Sequence, residues 1–176
     1  MPFAFYDRLT RDRQAIYRAS DRIVDLPIAE SDSLREMGAE IAKKLTAEDR
    51  LALENSCQTL INALAKQFAN LPPVTVRVLE RRPQRHDGEL HGLYEPCNDP
   101  SDGPARISVW MRTAQRIKVV AARSFVRTLL HEFCHHLDYE HFGLAETFHT
   151  EGFYKRESAL LVRVMGPRPI KPARSF

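Results

Sequence analysis

Residues 131–135 are His131-Glu132-Phe133-Cys134-His135, a segment of the form H-E-x-x-H. Two histidines four residues apart lie about one helical turn apart, so both imidazoles can bind one metal ion. On a helix, Glu132 lies about 60° from His135, within reach of a water molecule beside that metal. Only three positions of the pattern are fixed, so its meaning depends on whether its flanks are helical and whether a third ligand follows.

The flanks of this segment have a helical pattern. Apolar residues recur at helical spacing from about Val119 to His141, and Gly143 is a stop signal after them. A second such pattern begins near Thr150 and ends at about Met165. We therefore predict one helix over about residues 119–141, which carries the metal-binding segment, and a following helix over about 150–165.

A zinc site of this kind is typical of metallopeptidases, in which three protein ligands leave one position open for water. The downstream candidates for the third ligand are His141, His149, Glu151 and Glu157. His141 has the spacing of the extended motif H-E-x-x-H-x-x-G-x-x-H, but Asp138 stands where that motif has glycine. Glu157 falls inside the following helix, and Glu151 in its first turn, where it would also complement the helix dipole. These alternatives stay open at this point.

Three further residues of the predicted helix have assignable roles. Asp138 lies on the same face as His131, where it either accepts a ring N–H from a ligating histidine or is a surface acid. His136 points away from the ligand pair by about 140°, which favours a surface or packing role. Cys134 is interpreted as a small apolar filler.

The rest of the chain predicts an α+β fold with a small, mostly antiparallel sheet packed against helices. A helix over Arg8–Ser20 and a second one, capped at Ser31-Asp32-Ser33 and ending near Leu45, form a helical extension over residues 1–45. A third helix, capped by Thr46, is expected to reach about Ala69. The predicted strands are Val74–Leu79, Glu89–Glu95 and Arg106–Met111, with a basic turn over Arg81–Gly88. We expect a single domain over residues 1–176 that ends in a flexible tail over 167–176.

Composition excludes several classes of protein. The chain has 176 residues, 43% hydrophobic and 28% charged, with a net charge of +3, which alone is too small to indicate nucleic acid binding. Its three cysteines, Cys57, Cys97 and Cys134, contain no C-x-x-C pair, so we expect reduced thiols rather than disulfides or a zinc ribbon. No signal peptide and no apolar run of ~20 residues is found, so we expect a cytoplasmic protein without a membrane partner.

The chain resembles the SprT/Spartan-like zinc metallopeptidases. That family pairs H-E-x-x-H with a later H-G-x-x-F segment, and here His149 and Phe153 match while Thr150 replaces the usual glycine. The matching region covers roughly residues 105–165. The first 45 residues are outside it, and the cysteine zinc ribbon that ends many members is absent from this sequence.

The resemblance implies a minimal zincin-like core in which His131, His135 and His149 bind Zn²⁺. It implies hydrolysis of a peptide or protein substrate, with Glu132 taking a proton from water and giving it to the leaving amine. It also implies that the strand Arg106–Met111 borders the cleft, where it could pair with an extended substrate.

Several alternatives stay open. The donor that stabilises the oxyanion could be Tyr154, Tyr139 or Arg156. A non-catalytic zinc-binding module would need a fourth protein ligand, for which His141 or a glutamate would serve. Relatives act on proteins attached to DNA, and basic residues leave nucleic acid as a candidate partner; they are Arg81, Arg82, Arg85, Arg112, Arg116, Lys118, Arg123 and Arg127. The sequence does not fix the oligomeric state.

Overall fold

Five helices and a small sheet account for most of the chain. The computed structural model describes residues 5–85, 88–97, 99, 101 and 103–168. The helices are α1 (Arg11–Arg22), α2 (Asp32–Thr46), α3 (Arg50–Ala65), α4 (Ala122–Glu140) and α5 (Glu151–Met165). The strands are β1 (Val74–Arg81), β2 (Gln84–Arg85), β3 (Gly88–Glu89), β4 (Gly92–Glu95) and β5 (Ala105–Arg112). The fold is therefore α+β, as predicted, while most of the predicted tail and part of the predicted basic turn lie outside the described residues.

The main sheet has three strands in the order β1-β5-β4. β5 lies in the middle, parallel to β1 and antiparallel to β4, and β2 and β3 form a separate two-stranded sheet. The prediction of a mostly antiparallel sheet is wrong, because the longer pairing, from Val74↔Ala105 to Arg81↔Arg112, is parallel. After β1 the chain passes through β2 and β3 and forms β4 at the other edge of the main sheet. β5 then inserts between β1 and β4.

The five predicted helices are present, but α1 and α4 each begin three residues later than predicted, and α3 is shorter than predicted at both ends. Ser31 caps α2 as predicted, since its hydroxyl accepts a hydrogen bond from the Leu34 amide at 3.2 Å. Thr46 does not cap α3: it is the last residue of α2, and its hydroxyl donates to the carbonyl of Ala42 at 2.9 Å. Asp49 caps α3 instead, because the left-handed backbone of Glu48 (φ 57°) turns the chain between the two helices.

α4 is the central helix of the core. It packs against β4 and β5 on one side and against α2 and α5 on the others, while α3 packs on β1. Its inward positions are fully buried, and each such side chain contributes about 1.5–3 kcal/mol of transfer free energy to folding; they include Phe125, Val126, Leu129, Leu130, Phe133 and Leu137. Among the described residues, no helix combines the length and the apolar character that a membrane span needs.

The two edges of the main sheet differ. Along the outer edge of β1, side chains of α3 take the place of a neighbouring strand. Gln58 accepts from the Val76 amide at 2.8 Å and donates to the Val74 carbonyl at 3.0 Å. Glu54 accepts from the Val78 amide at 2.8 Å. This edge is therefore closed to further strand pairing, whereas β4 lies at the opposite edge.

The burial of the cysteines gives a testable prediction. Cys57 and Cys134 are buried and Cys97 is exposed. Burial raises the pKa of the Cys57 and Cys134 thiols well above the usual range, and only the thiolate reacts with disulfide reagents. We expect one rapidly reacting thiol in native protein and three in denaturant, measured by titration with an aromatic disulfide. A Cys97→Ser variant should lose the fast reaction, and rapid reaction of a second native thiol would contradict the prediction.

Candidate metal centre

Three histidines converge on one face of α4, beside the middle of the helix. The Nε2 atom of His149 lies 3.0 Å from Nε2 of His131 and 3.2 Å from Nε2 of His135. The first two histidines belong to α4, and His149 belongs to the segment just before α5. Together they form a cluster that can hold a metal ion. The structure thus brings together the three residues predicted as ligands.

The start of α5 fixes the position of His149. Thr150 caps this helix, with its hydroxyl accepting a hydrogen bond from the Phe153 amide at 3.0 Å. Phe153 is fully buried, and its ring centroid lies 5.0 Å from that of His131, 4.8 Å from that of His135 and 5.2 Å from that of His149. One phenyl ring therefore packs against all three imidazoles.

His131 is oriented by a buried carboxylate. Its Nδ1 atom lies 2.8 Å from Oε2 of Glu157, whose other oxygen accepts a hydrogen bond from Arg127 at 2.8 Å. Because a carboxylate only accepts, Nδ1 of His131 carries the proton and the lone pair of Nε2 faces the cluster. Glu157, one of the alternative ligands, therefore lies behind a histidine and outside the cluster.

His135 is oriented in a different way, through a hydroxyl. Its Nδ1 atom lies 2.8 Å from Oγ1 of Thr147, which donates to Oδ2 of Asp138 at 2.8 Å. The single hydroxyl proton goes to the carboxylate, so Thr147 accepts the Nδ1 proton of His135 and leaves Nε2 unprotonated. Asp138 is fully buried. Its interpretation as a surface acid is wrong, and it acts on the histidine through Thr147 rather than directly.

The remaining predicted residues lie outside the cluster. The ring of His141 contacts that of Phe68, with centroids 4.8 Å apart, and Glu151 forms an ion pair with Lys155 at 2.8 Å. The imidazole of His136 is fully buried, so the packing role is the correct alternative. Its Nε2 atom donates to the carbonyl of Pro72 at 3.0 Å, and its Nδ1 accepts from the hydroxyl of Tyr94 at 3.0 Å.

The candidates for the oxyanion donor are partly separated by their positions. Arg156 is fully buried, and its guanidinium lies 2.6 Å from Oδ1 of Asp138 on the side away from the cleft, which excludes it. Tyr139 lines the cavity in front of the histidines. Tyr154 is 47% exposed, and its ring centroid lies 5.9 Å from that of His149. Both tyrosines stay candidates.

The donor set fits a metal cation. Nitrogen lone pairs that face one another at about 3 Å repel, so this arrangement requires a shared cation or proton. Burial, helped by the nearby His131 and His149, lowers the pKa of His135 to about 3, which keeps its imidazole neutral as a ligand must be. Tetrahedral zinc ligands at about 2.0–2.1 Å place their nitrogens about 3.3 Å apart, close to the distances found here.

Glu132 lies beside the cluster in the wall of an open cavity. Its side chain is only 6% exposed, and burial raises its pKa to about 7, although His131 and the backbone N–H of Tyr94 act in the opposite direction. The cavity has a volume of about 590 Å³. It is lined by Glu89, Leu90, His91, Gly92, Leu93, Tyr94, Pro96, Arg127, Thr128, His131, Glu132, His135, Tyr139, Thr147, His149 and Glu157.

Two residues of this site have no signal in the sequence. Thr147 lies in an irregular segment where a hydroxyl is unremarkable, and Gly92 lies in a short strand. A Cβ atom at Gly92 would lie 2.3 Å from Oε1 of Glu132 and 2.7 Å from Cγ2 of Thr128, so only glycine lets β4 approach α4 this closely. The role of Gly92 depends on a contact between β4 and α4, and that of Thr147 on how its segment folds back onto α4.

Comparison with protein-family models, with curated protein sequences and with solved structures found no match to this chain. The likeness to SprT/Spartan-like metallopeptidases therefore stays a resemblance carried by His131–His135 and by the segment His149–Phe153. What the centre can do follows from its own geometry: three imidazoles converge beside a carboxylate, at the wall of a cavity open to solvent.

Removal of one histidine tests the ligand set. We expect His149→Ala to weaken zinc binding by more than the about 10–100-fold that loss of an orienting neighbour costs, since it removes a donor atom itself. His141→Ala is the matched control, because this histidine lies outside the cluster. Zinc content by mass spectrometry and affinity by competition with a chelating dye measure the effect. Wild-type affinity in His149→Ala would exclude this residue as a ligand.

Proposed function

We propose that this protein is a zinc-dependent metallopeptidase that resembles the SprT/Spartan-like enzymes. The observation that carries the proposal is the position of the Glu132 carboxylate beside three converging imidazoles in an open cavity. A metal site that serves only the fold has no use for a carboxylate base at this place.

The composition of the centre favours catalysis over a structural role. Structural zinc sites use four protein ligands, whereas catalytic sites use three and keep one position open. Among the described residues, the only group of three or more histidine, cysteine or acidic side chains close enough to share an ion is His131, His135 and His149. These three also line the cavity, so a substrate can reach them.

In the proposed reaction Glu132 moves the protons. A bound zinc ion would supply a Lewis acid that polarises a carbonyl and acidifies water. Glu132 takes the proton of the attacking water and delivers it to the leaving amine. The backbone N–H of Tyr94 lies near the Glu132 carboxylate and acts to lower its pKa. Glu157 and Thr147 hold the two ligand imidazoles of α4 in the required tautomer.

The substrate is proposed to pair with β4. The sequence-based expectation that Arg106–Met111 holds the substrate is wrong, because β5 is the central strand and already pairs on both sides. Residues 92–94 of β4 line the cavity instead, and no described strand pairs with the outer edge of β4. An extended peptide can add to such an edge through main-chain hydrogen bonds, which recognise backbone rather than side chains.

Two of the basic residues that suggested nucleic acid binding are engaged within the fold. Arg112 forms ion pairs with Glu48 and Glu80, and Arg127 binds Glu157. These arginines therefore join elements of the fold, and a nucleic-acid partner stays a prediction from the resemblance.

Replacement of the general base separates catalysis from simple metal binding. Glu132→Gln keeps the size of the side chain but cannot accept a proton. We expect kcat to fall by about 10²- to 10⁴-fold while zinc content is unchanged. Cleavage of a fluorescently labelled unfolded protein measures the rate, and Glu151→Gln, in an exposed ion pair, is the control. Activity that survives in Glu132→Gln would exclude Glu132 as the base. A wild-type protein that binds zinc but cleaves no unfolded protein would be better described as a zinc-binding interaction module.

A methyl group at Gly92 tests the role of β4. Because its Cβ would lie 2.3 Å from Oε1 of Glu132, Gly92→Ala should displace both the strand and the base. Misplacement by about 1 Å can cost about 10²-fold in rate, so we expect a loss of this order with zinc retained. Gly38→Ala is the control, since its Cβ would lie 2.3 Å from the Val164 carbonyl, away from the cleft. Equal rates for the two variants would exclude a role of β4 in the reaction.

A further inference from the structure

A line of hydrogen bonds continues from the metal centre into the protein beyond Asp138. Oδ2 of Asp138 holds the Thr147 hydroxyl, and Oδ1 accepts a hydrogen bond from Arg156 at 2.6 Å. Both charged side chains have no exposed surface. A buried carboxylate needs its partner to stay charged and fixed, so the orientation of Thr147, and with it that of His135, depends on where Arg156 is held.

Arg156 is held by the end of α1. One of its terminal nitrogens donates to the carbonyl of Ser20 at 2.9 Å and also to that of Ile23. The Ser20 carbonyl also accepts a hydrogen bond from the amide of Ile23, the residue that follows α1, at 3.2 Å. The C-terminal end of a helix carries a partial negative charge, so its carbonyls suit a guanidinium. The guanidinium carbon also lies 5.5 Å from the ring centroid of Phe142 and 5.6 Å from that of Phe153.

A second contact joins the same end of α1 to the start of α5. Oδ1 of Asp21 accepts a hydrogen bond from the Gly152 amide at 3.0 Å, as a carboxylate does at a helix N-terminus. A Cβ atom at Gly152 would lie 2.4 Å from the carbonyl oxygen of Asp21, so the two backbones touch. This contact lies three residues after His149, in the helix that Thr150 caps.

We infer that α1, which lies outside the region that resembles known metallopeptidases, is a positioning element of the metal centre. Its carbonyls fix Arg156, Arg156 fixes Asp138, and Asp138 orders Thr147 so that the Nε2 lone pair of His135 faces the cluster. Its Asp21 fixes the first turn of α5 beside His149. The inference depends on the histidine metal centre of the proposed function but not on peptide hydrolysis, so its tests measure metal binding.

A steric wedge between α1 and α5 tests the link. Gly152→Ala should push the end of α1 away from α5 and weaken zinc binding about tenfold or more, as loss of an outer partner does. The matched control is Gly38→Ala, in which the same methyl group meets the Val164 carbonyl at 2.3 Å where α2 crosses α5. Zinc affinity is measured by dye competition on the full chain, and geometry by the visible absorption of the Co²⁺ form.

The comparison between the two glycine variants decides the outcome. A loss of zinc affinity and a changed Co²⁺ spectrum in Gly152→Ala, without either in a Gly38→Ala protein of similar melting temperature, supports the inference. Equal losses in both variants would overturn it, because general destabilisation would then explain them. If Gly152→Ala does not fold, Asp21→Ala removes the same contact without a wedge, and wild-type zinc affinity in that variant would also overturn the inference.

Variants of Thr147 test the line of hydrogen bonds at the end that contacts His135. Thr147→Val keeps the shape but removes the hydroxyl, so we expect zinc affinity to fall by about 10–100-fold. Thr147→Ser keeps the hydroxyl and should restore affinity and the Co²⁺ spectrum, which a purely packing role of the residue would not do. Equal zinc affinity of the valine variant and the wild type would refute the proposed role of this line of hydrogen bonds. A wild-type protein that binds no zinc would instead refute the proposed function itself.

Discussion

The ring nitrogen of a metal-binding histidine that faces away from the metal needs an acceptor for its proton, and this requirement organises much of the structure. Without that acceptor the imidazole can turn or change tautomer, and its lone pair no longer faces the ion. Here His131 and His135 lie on one helix, in a wall that is largely buried. Their acceptors must therefore come from inside the protein, and the groups that supply them must in turn be satisfied.

The two histidines meet this requirement in different ways, one directly and one through a hydroxyl group. Glu157 accepts directly from His131, and its charge is balanced by Arg127, which is half exposed. His135 reaches its carboxylate only through Thr147, and the balancing charge, on Arg156, is fully buried. Solvent screens the first arrangement and can replace part of it, whereas the second depends on the protein alone. The buried arrangement also extends to a helix more than a hundred residues earlier in the chain.

The residues that the sequence alone could assign are those whose signal is local. The spacing of His131 and His135 and the apolar positions around them predict the metal-binding helix, since both follow from helical periodicity. His149 was one of four candidates by spacing, and only the resemblance favoured it. The strands were placed by their β-branched residues, but their order was not, because nothing local says that β5 inserts beside β1.

The roles that sequence reasoning missed depend on contacts between different elements of the fold. Glu157 is predicted only as an alternative ligand, and Asp138 as a direct acceptor from a histidine or a surface acid. Their actual partners are set by how α5 and the segment before it pack against α4. Arg156 was a candidate for the cleft, and its position against the carbonyl of Ser20 cannot be deduced from either local sequence. The start of α3 was misplaced for a different reason: Thr46 and Asp49 are both good caps, and the backbone turn at Glu48 selects the second.

The difference between the two sheet edges limits how far this sheet can grow. Association of sheets into fibres needs two edges on every molecule, one to receive a strand and one to offer the next. Hydrogen bonds with the side chains of Glu54 and Gln58 occupy the edge of β1, so a strand can add to this sheet only beside β4. Once a peptide or a second copy of the chain pairs with β4, no further strand of this protein's sheet is open to pairing. The protein can therefore keep the unpaired edge of β4 at its cleft without forming polymers through that edge.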